Sequence, residues 1–202
     1  MIKLYGISAS RTLRPLWLLE EIGMKYEQIP VDFRKGENRE PEFLKINPNG
    51  KLPALIDGDL ALFESMAINL YLARKYGGSL YPTNEADIAR AEMWSFWVMS
   101  EVEYDLLNVL FNRRLLPEAE RDAERADRAA QRLETPFTVL DDALKENDYL
   151  LGDAFTVADL NVAAVFSWCR PARVKLNEWP TLKDWLMRCI GRPAFKIAVR
   201  KP

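Results

Sequence analysis

From residue 1 to about residue 76, the sequence alternates between strand-like and helical patterns. The short apolar run "IKLY" is followed by "TLRPLWLLEEIG", in which apolar residues recur at helical spacing before a glycine, and then by the strand-like "YEQIPVD". Two strands with a helix between them form a βαβ unit, whose strands are parallel and whose crossover is right-handed. This start predicts a sheet covered by helices.

The same half continues with a short helix, a hairpin and a longer helix. "PEFLKI" fits the short helix, and "PALI" and "LALF" flank the turn "DGD". "SMAINLYLARKYG" is helical and is closed by Gly77 and Gly78. The order βαβ-α-ββα predicts a thioredoxin-like α/β domain, which we place at residues 1–78.

Residues 85–202 show no strand pattern, and we expect an all-α domain there. Helical stretches are predicted at about 86–115, 118–145, 156–170 and 181–190. Pro136 is expected to kink the second stretch or to begin a new helix, because proline lacks a backbone donor. Thr156 and Asp159 have the spacing of a capping box, and the apolar residues that follow predict a buried helix.

Charge and hydropathy exclude several classes of protein. The 28 basic residues against 30 acidic ones give no basic excess for binding nucleic-acid phosphates. No stretch reaches the roughly 18 apolar residues that a membrane span needs, and the first ten residues lack the pattern of a signal peptide. We therefore expect a cytoplasmic protein with no nucleic-acid or membrane partner.

The absence of histidine and the scarcity of cysteine limit the reactions that this chain can catalyse with its own side chains. The chain has no histidine, which excludes histidine-based acid–base catalysis and the commonest zinc ligand. Its only cysteines, Cys169 and Cys189, are too few for a disulfide scaffold or a thiolate metal site. We expect no metal, and we expect the reactive group to come from a ligand.

The start of the first helix carries three hydroxyls, Ser8, Ser10 and Thr12 in "ISASRTLRP", where a thioredoxin-like domain often has a cysteine pair. Without cysteine, dithiol chemistry is excluded, but a helix N-terminus still offers unpaired N–H groups. A hydroxyl that donates to an external thiolate would lower the pKa of that thiol. The alternative is structural, since serine and threonine are preferred helix N-caps and Thr12 fits that position.

Two further features, in "GKLPALIDGDLALFES", each have a structural and a functional interpretation. Pro53 is either an ordinary edge-strand proline or a cis proline that leaves the Leu52 backbone free to pair with another peptide. Glu64 and Ser65 are either an N-cap arrangement, with Ser65 as the cap, or the receptor of an amino-acid head group. Together with a thiol near Ser10, the functional interpretations describe γ-glutamyl-cysteinyl-glycine, which is glutathione.

The chain resembles the cytosolic glutathione S-transferases, of a serine type like those of bacteria, over essentially its whole length. The matching segments, in order, are "KLYGISAS", "LEEIGMKYE", "NPNGKLPALIDGD", "LFESMAI", "YLARKYG", "GDAFTVADL" and "WPTLKDWLMRCIGRPAF". Because Tyr5 lies inside the first strand, no tyrosine stands where the tyrosine-type classes have theirs, and no single class is assigned.

The resemblance implies a role for particular residues. Ser10, four residues before Arg14, corresponds to the hydroxyl that activates the thiol, with Ser8 and Thr12 as alternatives. The implied glutathione-binding residues are Arg39 and Lys51 for the glycyl end, Leu52 and Pro53 for the cysteinyl unit, and Glu64 and Ser65 for the γ-glutamyl unit.

The resemblance also implies a homodimeric detoxification enzyme that conjugates glutathione, as co-substrate, to a small hydrophobic electrophile. Candidates for the electrophile site are Trp97, Glu101, Tyr104 and Asn108, which recur at helical spacing, although core or dimer contacts are the commoner fate of such residues. The alternatives are a non-catalytic glutathione- or ligand-binding protein, and a glutathione-dependent peroxidase or disulfide reductase that uses the same site.

Overall fold

The computed structural model describes every residue from Met1 to Pro202. The chain forms two compact units. The first contains Met1–Tyr81 and Gly191–Pro202, and the second contains Pro82–Ile190. The first unit is therefore assembled from both ends of the sequence.

The first unit contains a four-stranded mixed sheet in the order β2-β1-β3-β4. The strands are β1 (Ile2–Tyr5), β2 (Tyr26–Ile29), β3 (Ala54–Asp57) and β4 (Leu60–Phe63). β1 and β2 are parallel, as the helical crossover between them requires, whereas β3 is antiparallel to both β1 and β4. The predicted thioredoxin-like arrangement is confirmed.

Three helices follow the strands of this sheet, namely α1 (Leu13–Ile22), α2 (Pro41–Leu44) and α3 (Ser65–Tyr76). α1 ends where the sequence predicts, because Gly23 adopts a φ of 68°, which ends a helix at little cost only when the residue is glycine. Short 3-10 turns lie at Phe33–Lys35, Glu37–Arg39 and Gly78–Leu80.

The second unit is all-helical, as predicted. Its helices are α4 (Glu85–Trp97), α5 (Tyr104–Leu110), α6 (Ala123–Arg132), α7 (Glu134–Ala143), α8 (Val157–Phe166) and α9 (Pro180–Ile190). Wider π-helical turns at Val98–Glu103 and Phe111–Leu115 continue α4 and α5 into one rod. A last helix, α10 (Pro193–Ala198), belongs to the first unit. No helix in the chain combines the length and the apolar composition needed to cross a membrane.

The predicted helix at 118–145 is wrong in its extent. Glu118–Glu120 form a 3-10 turn, and α6 begins only after Asp122, whose carboxylate accepts from the Arg125 N–H at 2.8 Å. The helix then breaks at Leu133 and restarts at Glu134, two residues before Pro136. Proline has no N–H for the preceding turn, so Pro136 sits in the first turn of a new helix, which was one of the two expected outcomes.

α8 is the centre of the second unit, since all ten of its residues are buried. The predicted capping box is present: the Ala158 N–H donates to Thr156 Oγ1 at 3.3 Å, and the Thr156 N–H donates to Asp159 Oδ2 at 3.0 Å. Asp159 also accepts from the Trp185 indole at 2.9 Å. Burial raises the pKa of the Asp159 carboxyl, and these donors oppose that effect.

Asp57 joins the end of β3 to α3. Its carboxylate accepts from the Tyr71 hydroxyl, the Lys75 ammonium and the Tyr76 hydroxyl, each at 2.7 Å. The bond from Lys75, together with the two tyrosines, lowers the pKa of Asp57 from 3.8 to about 2. A carboxyl whose pKa is lower in the folded state stabilises the protein above its unfolded pKa and loses that contribution as the pH falls.

We expect Asp57→Asn to flatten the acid limb of the stability curve. Between about pH 4 and pH 2, the wild-type protein should lose unfolding free energy that the variant lacks from the start. Urea unfolding at a series of pH values measures the difference. Asp59→Asn, in the same turn but exposed, is the control and should keep the wild-type slope. Parallel curves for the wild type and Asp57→Asn would contradict the expectation.

Candidate functional site

The sequence analysis singled out three segments of the first unit, and all three adjoin the same end of the sheet. Ala54, the first residue of β3, pairs with Tyr5 at the end of β1 and with Phe63 at the end of β4. The loop after β1, the Leu52-Pro53 pair before β3 and the Glu64-Ser65 pair after β4 must therefore be neighbours. The sheet register brings together the predicted thiol, backbone and amino-acid subsites.

The Ser10 hydroxyl lies at the start of α1 and is half-buried. Ser10 Oγ is 2.7 Å from the Ile7 carbonyl oxygen and 2.8 Å from Thr12 Oγ1, and it accepts from the Thr12 N–H at 3.1 Å. A hydroxyl has one proton, so Ser10 donates to one of the two oxygens at a time. Thr12 occupies the N-cap position, as expected, but its side chain makes no capping bond.

The other two hydroxyls are less available to a ligand. Ser8 Oγ donates to the Lys201 carbonyl at 2.7 Å, and because a carbonyl only accepts, the Ser8 proton is committed to this bond. Thr12 is fully buried. Ser10 is the hydroxyl of the three whose proton can turn toward a bound molecule without breaking a long-range contact.

Arg14 and Ser65 connect the starts of α1 and α3. The Arg14 guanidinium Nη1 donates to Ser65 Oγ at 2.9 Å, and both residues are buried. Arg14 thus holds the serine of the predicted amino-acid subsite. A charged donor that is buried with its acceptor makes a strong hydrogen bond, so Arg14 fixes the position of the Ser65 hydroxyl.

The expected N-cap role of Ser65 is wrong. Ser65 is the first residue of α3, and the cap position is occupied by Glu64, whose φ is 70° and whose side chain makes no capping bond. A positive φ is unfavourable for a residue with a Cβ. The exposed Glu64 carboxylate is therefore held at the mouth of α3 by a strained backbone, which is a common mark of functional sites.

The Leu52-Pro53 peptide bond is cis. Neither the N–H nor the C=O of Leu52 hydrogen-bonds to another backbone group, so both are open to a partner. The preceding loop is held by Asn47, which is buried and donates to the Lys51 carbonyl at 2.6 Å while accepting from the Asn49 N–H at 3.1 Å. The sequence analysis missed Asn47, although its place in "NPNG" is a known turn signal.

Arg39 and Lys51 lie on two loops that contact each other. Asn38 Nδ2 donates to the Gly50 carbonyl at 2.6 Å, and Arg39 Nη1 is 3.4 Å from the Asn49 carbonyl oxygen. Both cationic side chains are exposed. Asn38 was missed by the sequence analysis, because a single asparagine carries no signal for a contact twelve residues away.

The four candidates of the second unit are distributed along the α4–α5 rod. Trp97 ends α4 half-buried, Glu101 is exposed in the first π-helical turn, and Tyr104 is 65% exposed. Asn108 is buried, donates to the Tyr104 carbonyl at 2.9 Å and accepts from Arg125 Nε at 2.8 Å. Its amide is thus used in joining α5 to α6. The roles of all four residues stay predictions.

A cavity of about 450 Å³ lies elsewhere in the first unit, beside α2. Glu37, Glu40 and Glu42 line it together with Tyr5 and Phe43, and none of the predicted site residues does. The contacts at the sheet edge therefore define the candidate site.

Comparison with known proteins decides the family. The model of the glutathione S-transferase N-terminal domain matches residues 1–74, and that of the C-terminal domain matches residues 87–193. The chain belongs to the glutathione S-transferase family. This confirms the resemblance seen in the sequence motifs.

Relatives of this transferase cover nearly its full length. It is 38% identical to "Glutathione S-transferase 3" of Zea mays, over 98% of this chain and 93% of the relative. It is 32% identical to "Glutathione S-transferase GstB" of Escherichia coli (strain K12), over 100% and 99%. The crystal structure of a theta class glutathione S-transferase from Xanthomonas axonopodis pv. citri, with glutathione bound, matches with a TM-score of 0.92 and 33% identity, over 100% of this chain and 98% of that one.

We expect Glu64→Gly to stabilise the fold while weakening the site. Glycine relieves the positive φ, which should raise the free energy of unfolding by about 1 kcal/mol. The same change removes the exposed carboxylate, so binding of a ligand ammonium at this position should weaken. Urea unfolding and calorimetric titration with glutathione measure the two effects.

Glu40→Gly provides the control for this substitution. Glu40 is also exposed and also precedes a helix, but its φ is −66°, so glycine relieves nothing there and adds backbone entropy to the unfolded chain. Equal stability changes in the two variants would contradict the strain at Glu64.

Proposed function

We propose that this protein is a glutathione transferase that binds glutathione at the sheet edge of the first unit and conjugates its sulfur to a small hydrophobic electrophile. The single observation that carries the proposal is the convergence at Ala54, which places a half-buried hydroxyl, an open backbone pair and an exposed carboxylate beside a helix N-terminus. Each of these matches one part of the tripeptide. Membership in the family supports the same conclusion.

Binding would use three kinds of contact. The Leu52 N–H and C=O pair with the cysteinyl unit in the manner of a strand added to a sheet edge. Ser65 and the first N–H groups of α3 receive the γ-glutamyl carboxylate, and Glu64 receives the adjacent ammonium. The exposed cations Arg39 and Lys51 hold the glycyl carboxylate. We assign glutathione binding to a domain at residues 1–78, with Pro53 as the proline that shapes it.

Activation of the thiol would use the Ser10 hydroxyl. Its proton turns from the Ile7 carbonyl toward the glutathione sulfur, while the Thr12 N–H continues to donate to the Ser10 oxygen. A hydroxyl that donates to sulfur stabilises the thiolate over the thiol and lowers the thiol pKa, and the positive end of α1 acts in the same direction. The thiolate then forms the S–C bond, and an electron pair departs with the leaving group of the electrophile or, in an isothiocyanate, moves to the nitrogen, which takes up a proton.

The helical domain predicted at residues 85–202 would supply the electrophile site, from its part up to Ile190, since Gly191–Pro202 belong to the first unit. Trp97, Glu101, Tyr104 and Asn108 remain the candidates. The exposure of Tyr104 and Glu101 supports their access to a ligand. We place the enzyme in the cytoplasm.

We expect Ser10→Ala to lower kcat about 100-fold, because one hydrogen-bond donor to a developing or resident anion has about that effect. The KM for glutathione should change little, since the peptide contacts lie on other segments. Turnover with chlorodinitrobenzene and with an isothiocyanate measures the effect, and Ser79→Ala, an exposed serine on a 3-10 turn, is the control.

Two outcomes would overturn parts of this proposal. Unchanged turnover in Ser10→Ala would move the activating role to Ser8, to Thr12 or to a backbone N–H. Retention on immobilised glutathione without turnover of any electrophile, peroxide or disulfide would show a binding protein instead of an enzyme.

We also propose a homodimer. Met93 and Phe96 on α4 are 51% and 67% exposed, and large apolar side chains at such exposure are typical of contact surfaces. We expect light scattering of the purified protein to give twice the chain mass of 23.3 kDa. Phe96→Glu should shift the mass toward that of one chain, whereas Glu92→Gln, an exposed neighbour, should not. A wild-type mass of 23.3 kDa would reject the dimer.

A further inference from the structure

The last eleven residues of the chain, 192–202, pack against the helix that begins beside Ser10. We call this segment the strap. Arg192 makes a two-bond ion pair with Glu21 of α1, at 2.6 and 2.8 Å, and Phe195 packs edge-on against Trp17, with ring centroids 4.8 Å apart. Trp17 in turn donates its indole N–H to Glu21 at 2.9 Å. α10 is thereby fixed along α1.

A second anchor lies at Lys201. Its ammonium is 3.1 Å from Glu20 Oε1 and 5.3 Å from the centre of the Tyr26 ring. The Tyr26 hydroxyl donates to the same Glu20 carboxylate at 2.7 Å. Burial and this carboxylate raise the pKa of Tyr26, so the phenol stays protonated and remains a donor.

The end of the strap binds the loop that carries Ser10. The Lys201 carbonyl accepts from Ser8 Oγ at 2.7 Å, and the Pro202 carbonyl accepts from the Ser8 N–H at 2.7 Å. Gln28 of β2 supports this contact, since its Nε2 donates both to the Pro202 carbonyl and to the Gly6 carbonyl, each at 3.0 Å. Both donors of Ser8 are therefore held by the strap.

The strap influences Ser10 through a single peptide unit, the one between Ile7 and Ser8. The Ser8 N–H and the Ile7 C=O belong to the same planar group, so fixing the direction of one fixes the direction of the other. The Ile7 carbonyl is the oxygen that accepts from the Ser10 N–H at 3.1 Å and from Ser10 Oγ at 2.7 Å. The strap thus orients the acceptor that sets the position of the Ser10 hydroxyl.

We propose that Ser8 is a positioning residue and that the strap, acting through it, holds the Ser10 hydroxyl in the geometry that activates the thiol. This inference rests on the proposed function, in which Ser10 donates to the glutathione sulfur. Loss of the strap contact frees the Ile7–Ser8 peptide to rotate, which weakens the bond from the Ser10 N–H to the Ile7 carbonyl. The Ser10 backbone is then held less firmly, so its hydroxyl lies within reach of the sulfur less of the time. Leu52, Glu64 and Ser65 lie on other segments, so binding of the tripeptide is retained.

The test uses Ser8→Ala and Ser8→Thr in the full chain, and a chain that stops after Arg200. Since one or two hydrogen bonds are lost, we expect kcat at neutral pH to fall about tenfold in Ser8→Ala and in the shortened chain, with the KM for glutathione little changed. The acid limb of the pH profile should move to higher pH, and the ultraviolet absorbance of bound thiolate should move with it. Ser8→Thr keeps the hydroxyl and should recover most of the rate.

Combining Ser8→Ala with the shortened chain should cost no more than the larger single loss, because both remove the same contact. Lys196→Ala, an exposed residue of α10, is the control and should behave as wild type. Circular dichroism confirms that each variant is folded, and Ser8→Ala decides the question alone if the shortened chain does not fold.

Three results would overturn the inference. A wild-type pH profile in Ser8→Ala would show that the strap does not act on the thiol. Losses that add in the combined variant would show that Ser8 acts independently of the strap. Either of these two results is compatible with a Ser10→Ala enzyme whose kcat is about 100-fold lower. A Ser10→Ala enzyme with wild-type turnover is the third result, and it rejects the proposed catalytic role itself and the inference with it.

Discussion

The pairing of Ala54 with Tyr5 on one side and Phe63 on the other is the constraint on which the candidate site depends. Ala54 is fully buried, so its place in the sheet is fixed by packing as well as by hydrogen bonds. A slip of one residue in either pairing would turn the buried side chains of β3 to the other face. It would also separate the segments that meet at this edge. The core and the site therefore share one register.

Around that register, the site is held by polar contacts that are mostly not at the surface. Arg14 reaches Ser65 between two buried positions, and Asn47 braces the backbone just before Leu52. Breaking a buried hydrogen bond of this kind costs more free energy than breaking an exposed ion pair, because the donor or acceptor left behind cannot bond to water instead. The exposed groups, Glu64 among them, are carried on this rigid frame and remain free to contact a ligand.

Local signals in the sequence were enough for most of the fold. The glycine after α1, the Thr156–Asp159 box and the uniformly apolar α8 each have a short-range cause, and each is found where it was predicted. The errors concern the start of a helix. Glu64, with its positive φ, occupies the N-cap position that was expected for Ser65. Asp122 caps α6, so this helix begins at Ala123 and not at residue 118. The positive φ of Glu64 could not be predicted from the identity of the residue, whereas Asp122 is of a preferred N-cap type that the sequence analysis passed over.

The site was predictable only in part, for a related reason. Side chains that signal a chemistry, such as Ser10 and Glu64, stand out in a sequence, whereas the groups that orient them include backbone carbonyls. Ile7, Lys201 and Pro202 contribute oxygen atoms that every residue has, so no pattern marks them. The burial of Asn108 is likewise set by Arg125 on another helix. Such contacts become visible only when distant segments are placed together.

The bond between Ser8 and Lys201 spans 193 positions of the sequence. During synthesis, a ribosome makes Ser8 near the beginning and residues 192–202 only after the entire helical unit. The sheet can form early from local pairings, but the loop beside it acquires its last acceptors when nearly all of the chain has emerged. On the proposed role of Ser8, a nascent or fragmentary first unit would have its strands in place before the Ser10 hydroxyl is oriented, so folding would come before catalytic competence.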